Sequence, residues 1–162
     1  MKFDTMPAHS RVWVYMADRI FSGAEVQKLN ERFETFTQQW TAHNNQLKAS
    51  MDLVHQRFVV VMVDESVNGV SGCGIDKSVN FLKTLAEEYK VDFFNRLLVA
   101  YQKDEQIRVV NQHFIPNLLL QGDINENTPV FNNTVQTKEQ FDNLWLVPLK
   151  NTWLTRYLKT EA

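Results

Sequence analysis

The chain holds one cysteine, Cys73, in 162 residues. An intramolecular disulfide is therefore excluded, and a reducing, cytoplasmic location is expected. No apolar run approaches the roughly 20 residues that a bilayer-crossing helix requires. The first ten residues, Met1 to Ser10, lack the continuous apolar stretch of a secretory leader, so no membrane association is expected. An excess of one charge is also missing. The 17 Lys and Arg and the 19 Asp and Glu are scattered along the chain, for a net charge of −2. Without a basic stripe, nucleic acid is not an expected partner. The four histidines form no pair at helical i, i+4 spacing, so no metal pattern is visible and no cofactor is expected. No linker-like tract, low-complexity segment or internal repeat interrupts the chain. That favours one domain over 1–162, with a core at about 11–110 and an extension at about 111–162.

What is present is apolar patterning. Phe58 to Val63 are six consecutive apolar residues, mostly β-branched or aromatic, as in a strand buried on both faces. Arg11 to Met16 reads the same way. Leu47 to Leu53 alternates instead, with Leu47, Ala49, Met51 and Leu53 on one side, which suits an edge strand. A turn at His55-Gln56 should join it to the central run. Ser22-Gly-Ala-Glu25 has the spacing of a capping box. The helix it opens places Val26, Leu29, Phe33, Phe36 and Trp40 on one stripe. A second helix, from Lys77 to Tyr89, buries Val79, Leu82, Leu85, Ala86 and Tyr89, with Asp76 as its N-cap. Arg96–Tyr101 and Gln106–Val110 read as a hairpin. Beyond them come a short helix interrupted by Pro116 and closed by Gly122, a short strand at 128–131, a helix opened by Thr137, and a terminal helix at 151–158.

The order strand–helix–strand–strand–helix–strand predicts an α+β protein with a ferredoxin-like βαββαβ core, a mostly antiparallel sheet and a C-terminal helical and hairpin extension. Its first and third strands are central, which agrees with their apolar character. Both helices cover one sheet face, so the other face needs cover too. Residues 111–158 carry enough large apolar side chains for this, so a monomer is favoured, with a homodimer as the alternative.

The candidate site is the small-residue segment after the central strand, Ser71-Gly-Cys-Gly-Ile-Asp-Lys-Ser78. Cys73 near a helix start is a candidate nucleophile. Such a role needs a base, yet the exit of the first helix, with His43, is expected well away from Cys73. His55 lies at the far end of the central strand, and His9 and His113 give no spacing to argue from. The segment lacks the G-x-x-x-x-G-K-[ST] spacing of a phosphate loop. Asp64 and Glu65 read as polar residues where a strand meets water.

Trp40-x-x-His43, Leu47-Lys-Ala-Ser50, Arg57-Phe58, Val63-Asp-Glu65, Ser71 to Val79 and Phe94-Asn-Arg96 together resemble a family of short, uncharacterised bacterial proteins sometimes labelled "ABC transporter ATPase". The resemblance spans about residues 11–100. Members usually show His-Gly at His43-Asn44, Cys-Ser-Ile-Asp at Cys73 to Asp76 and Phe-Asp-Arg at Phe94 to Arg96. Taken with the residues themselves, the expectation is a non-catalytic binding or regulatory module for a small molecule or protein. Its site is drawn from His43, Lys48, Arg57, Ser71, Cys73, Asp76 and Ser78. A small cysteine-dependent enzyme using Cys73 is the alternative, and a nucleotide-binding ATPase, the activity that the family label implies, stands third.

Overall fold

The computed structural model describes residues 2–66 and 68–161. They form two compact units, Met1–Phe94 with Thr134–Phe141, and Asn95–Asn133 with Asp142–Ala162. The architecture is mixed α and β, and every described strand pairing is antiparallel.

In the first unit, β1 (Arg11–Met16), β4 (Lys48–Val54) and β5 (Phe58–Asp64) form a sheet in the order β1-β5-β4. All seven residues of β5 are buried. Val59, Val61 and Val63 join the core shared with the helices, while Phe58, Val60 and Met62 alternate with them on the opposite face. Each such side chain removed from water contributes about 1.5–3 kcal/mol. β5 is therefore the central strand that its composition implies. The turn to β4 is indeed at His55-Gln56, both with positive φ, at 54° and 58°.

Helix α1 (Gly23–Gln39) starts with a complete capping box. The Glu25 amide donates to Ser22 Oγ at 3.2 Å and the Ser22 amide to Glu25 Oε1 at 2.9 Å. Arg19 adds a fork, Nη1 and Nη2 each 2.9 Å from a Glu25 carboxylate oxygen. Leu29 and Phe33 are fully buried and Trp40 nearly so. The Arg19 fork, then the Ser22 amide, hold the Glu25 carboxyl down at about 2, from its ordinary 4.5. Its folded-state pKa is the lower one, so the stability it supplies is present above about 4.5 and lost as pH falls toward 2. Glu25→Gln should lower the urea midpoint at pH 6 and narrow its gap from wild type at pH 2. A gap unchanged by pH would remove Glu25 from the acid response.

Helix α2 (Gly72–Tyr89) begins five residues earlier than the apolar pattern implies. Ser71, not Asp76, is its N-cap: the Gly74 amide donates to Ser71 Oγ at 3.1 Å. Gly72, Cys73 and Gly74 are thus the first helical turn rather than a loop. Between α1 and β4, β2 (Thr41–Ala42) and β3 (Asn45–Gln46) make a small hairpin turning at His43-Asn44, again with positive φ, 52° and 65°.

The fourth strand of the expected core lies elsewhere. β6 (Leu98–Lys103) pairs not with β1 but with β7 (Gln106–Asn111) and β8 (Pro129–Phe131). The outer edge of β1 is already occupied. The Val12 amide donates to Gln136 O at 2.9 Å, and Arg11 bridges Thr137. The segment 134–141, read as part of the C-terminal extension, belongs to this first unit.

The second unit holds a sheet in the order β7-β6-β8-β9, with β9 at Leu146–Pro148. The β6–β7 hairpin turns at Asp104-Glu105, with φ of 52° and 63°. Helix α3 (Ile115–Leu120) accommodates Pro116 in its first turn, where no amide is needed. It ends at Gly122, whose φ of 77° meets the left-handed C-terminal geometry that glycine suits. Helix α4 (Lys138–Leu144), whose residues up to Phe141 belong to the first unit, starts where Thr137 implies, the Gln140 amide donating to Thr137 Oγ1 at 3.2 Å. The terminal helix is of the 3-10 type, Trp153–Glu161. Val99, Tyr101, Ile115, Ile124, Val130, Leu149 and Leu154 form this unit's own core.

Candidate functional site

Because β1 and β5 are antiparallel and α1 runs back along the sheet, the end of α1, the end of β5 and the start of α2 meet at one end of the first unit. The Trp40 indole Nε1 donates to Gly74 O at 2.9 Å in a buried bond. Asn68 Nδ2 donates to Gln46 O at 3.2 Å, tying the β2–β3 hairpin to the β5–α2 connection. This corrects the expectation that the first helix's exit lies away from the Cys73 segment. A Cβ at Gly74 would crowd Val70, meeting its Cγ2 at 2.9 Å, and would meet Trp40 Nε1 at an ordinary contact distance of 3.8 Å.

Of the residues singled out from the sequence, Ser71, Cys73, Asp76 and Ser78 share the start of α2, and His43 lies on the adjoining hairpin. Lys48 opens β4 opposite Asp64 at the same sheet end. Arg57 does not join them. It lies beyond the opposite end of β5, roughly 20 Å away at about 3.3 Å per residue, with Nη1 3.5 Å from Ala17 O. Burial lowers its pKa, and Asp18 partly offsets that. Ser78 is buried and its hydroxyl donates to Ile75 O at 2.7 Å, so it is spent within its own helix. Cys73 is exposed, and among the described residues its sulfur has no hydrogen-bond or ion-pair partner.

A second group at this end was not legible from spacing. Asp64, read as a solvent-facing strand end, is only 3% exposed. It accepts from the Ser66 amide at 3.0 Å and the Ser66 hydroxyl at 2.5 Å. Lys48 Nζ lies 3.4 Å away and His9 Nε2 3.6 Å away. The two Ser66 bonds and Lys48 hold the Asp64 carboxyl below the ordinary range against the opposing effect of burial. Local Asp-x-Ser spacing is the one cue to this, since Lys48 and His9 arrive from distant segments. A carboxylate held ionised and already hydrogen-bonded is a structural anchor, not a proton donor.

The same end also holds a cleft of about 390 Å³ between α1 and α2, lined by Phe36, Gln39, Trp40, Lys77, Asn80, Phe81 and Thr84. Its floor is aromatic. Phe36 and Phe81 stack at 4.4 Å and 5°, and Phe36 meets Trp40 at 5.2 Å. Its polar groups are two carboxamides, a hydroxyl and one ammonium, with no carboxylate among the lining residues. Among the described residues, no three His, Cys, Asp or Glu side chains are placed to hold a metal ion, and no helix is long and apolar enough to cross a membrane.

No protein-family model, curated protein or solved structure matches this chain.

Proposed function

We propose that this protein is a non-catalytic binding module whose ligand is a small organic acid with a flat or branched apolar body, held in the α1–α2 cleft. The carrying observation is the lining itself: an aromatic floor, carboxamides that orient a polar edge, and Lys77 as the sole charged group. A cation would find no counter-charge there, whereas a carboxylate finds Lys77. Of the segments that carry the resemblance to the short bacterial proteins, Trp40 and Lys77 line this cleft, which supports the same location. The order β1-α1-β4-β5-α2 with β5 central also supports reading the first unit as a relative of the ferredoxin-like arrangement without its fourth strand.

Thermal-shift and saturation-transfer NMR measurements with a panel of aromatic and branched-chain carboxylates, each beside its amide, test this. A binder present at 100 times its Kd should stabilise the fold by about 2.7 kcal/mol. Lys77→Glu should abolish the effect of the carboxylate without lowering stability, as Lys77 is exposed. A panel without a shift, or a shift that survives both Lys77→Glu and a cleft-filling Thr84→Trp, would overturn the reading. Cys73→Ser should leave binding unchanged. Turnover by the wild type that Cys73→Ser abolishes would instead favour the cysteine-dependent enzyme.

A further inference from the structure

The connection from β5 to α2 carries Asn68-Gly69, and Asn68 is the one asparagine in the chain that a glycine follows. An asparagine side-chain carbonyl lies within reach of the next main-chain nitrogen. Closing that five-membered ring needs an unshielded nitrogen and a backbone free to rotate. Glycine supplies both, because it has no Cβ. Larger residues follow every other asparagine. Asn95, Asn111 and Asn125 are also held in local turns, each Oδ1 accepting the amide two residues on.

The fold leaves Asn68-Gly69 open to this ring closure. The pair lies outside helix and strand, after Asp64 and before Gly72. Gly69 is exposed, and among the described residues nothing accepts its amide. Glu65 Oε2 accepts the Val70 amide at 2.9 Å, which closes the ends of the turn without engaging the nitrogen between them. Among the described residues the Asn68 side chain makes one hydrogen bond, the exposed one from Nδ2 to Gln46 O at 3.2 Å. A bond of that kind biases a side chain by about tenfold at most, so it slows the reaction without preventing it.

We propose that Asn68 is a site of spontaneous modification, whose conversion to aspartate and isoaspartate cuts the tie between the β5–α2 connection and the β2–β3 hairpin. The Gly69 nitrogen gives its proton to hydroxide and attacks Asn68 Cγ. A Cγ–N bond forms, the Cγ–Nδ2 bond breaks, and Nδ2 leaves as ammonia with a proton taken from water. One water molecule then opens the succinimide. Cleavage of the new Cγ–N bond gives aspartate. Cleavage of the original main-chain bond gives isoaspartate, with one more methylene in the backbone. Neither product has a donor for the Gln46 carbonyl. Either adds a carboxylate close to Glu65, whose Oε2 lies 3.3 Å from where a Gly69 Cβ would stand. β2 and β3 are two residues each, so the hairpin has little of its own to hold it.

Ageing the full chain in mildly alkaline buffer tests this, beside a free peptide of residues 64–72 and the variants Gly69→Ala and Asn68→Gln. Peptide mapping by mass spectrometry reads the exchange of amide for carboxyl, and an isoaspartyl methyltransferase labels isoaspartate. The folded chain should convert at Asn68 at no less than about a tenth of the peptide's rate, and both variants should lose the conversion. After conversion, the Leu47 amide, which donates to Trp40 O at 2.9 Å at the base of the hairpin, should exchange with deuterium faster than before. An Asn68 left intact in the folded chain once the peptide has converted would overturn the site, as would equal conversion in a folded Gly69→Ala. If Gly69→Ala does not fold, the ratio of chain to peptide decides. Unchanged Leu47 exchange in fully converted protein would overturn the release of the hairpin. None of these readouts depends on a ligand in the α1–α2 cleft.

Discussion

Val61→Asp is expected to abolish the cooperative native state of the first unit. Val61 is 1% exposed, lies mid-strand in β5 with Trp13 and Met51 as its sheet neighbours, and packs in the core that holds Leu82 and Leu85. An ionised carboxylate there has no partner, and its effective desolvation cost is several kcal/mol. That is comparable with the whole stability of a domain, about 5–15 kcal/mol. Val61→Ala removes two methyl groups and should cost only about 1.5–3 kcal/mol, leaving a two-state urea transition at a lower midpoint. Near-UV circular dichroism and urea titration separate the two variants. A native midpoint for Val61→Asp would mean that β5 is not the buried centre of this sheet.

The second large effect concerns Trp40. Trp40→Ala should lower stability by about 3–5 kcal/mol, because a 2% exposed indole leaves a cavity beside Phe36 at the α1–α2 contact. Trp40→Phe keeps most of the volume but removes the donor to Gly74 O. Its cost is expected at about 1–3 kcal/mol, set by a buried carbonyl losing a partner. The first turn of α2 should also exchange its amides faster in Trp40→Phe than in wild type. Equal urea midpoints for Trp40→Phe and wild type would show that the Trp40–Gly74 bond does not stabilise this end of the unit. Either substitution should weaken carboxylate binding, since Trp40 is part of the cleft floor.

Much of the first unit is readable in the sequence because its signals are local. Phe58 to Val63 announces a doubly buried strand, Ser22 and Glu25 announce a helix start, and the Val26-to-Trp40 stripe gives the buried face. The start of α2 is hidden because Gly72 and Gly74 look like loop residues, although the Ser71 cap marks the helix start and Gly74 leaves room for Val70. The Asp64 group is hidden for a different reason. Its neighbours His9 and Lys48 are adjacent only after three strands have paired. The failure of the fourth strand to pair with β1 has a long-range cause as well: a segment near residue 136 competes for that edge, and no local pattern reports a competitor. The cleft is partly readable, since Phe36 and Trp40 share the apolar stripe of α1, but Phe81 and Asn80 join them only once α2 is in place.

Among the described residues, three two-residue hairpin bends, His43-Asn44, His55-Gln56 and Asp104-Glu105, hold six residues in left-handed backbone without a single glycine. For most side chains that geometry costs about 1–2 kcal/mol per residue. Such bends are held in place by the strands that flank them. Peptides cut from these hairpins should stay unstructured on their own, each bend depending on the rest of the fold to hold it.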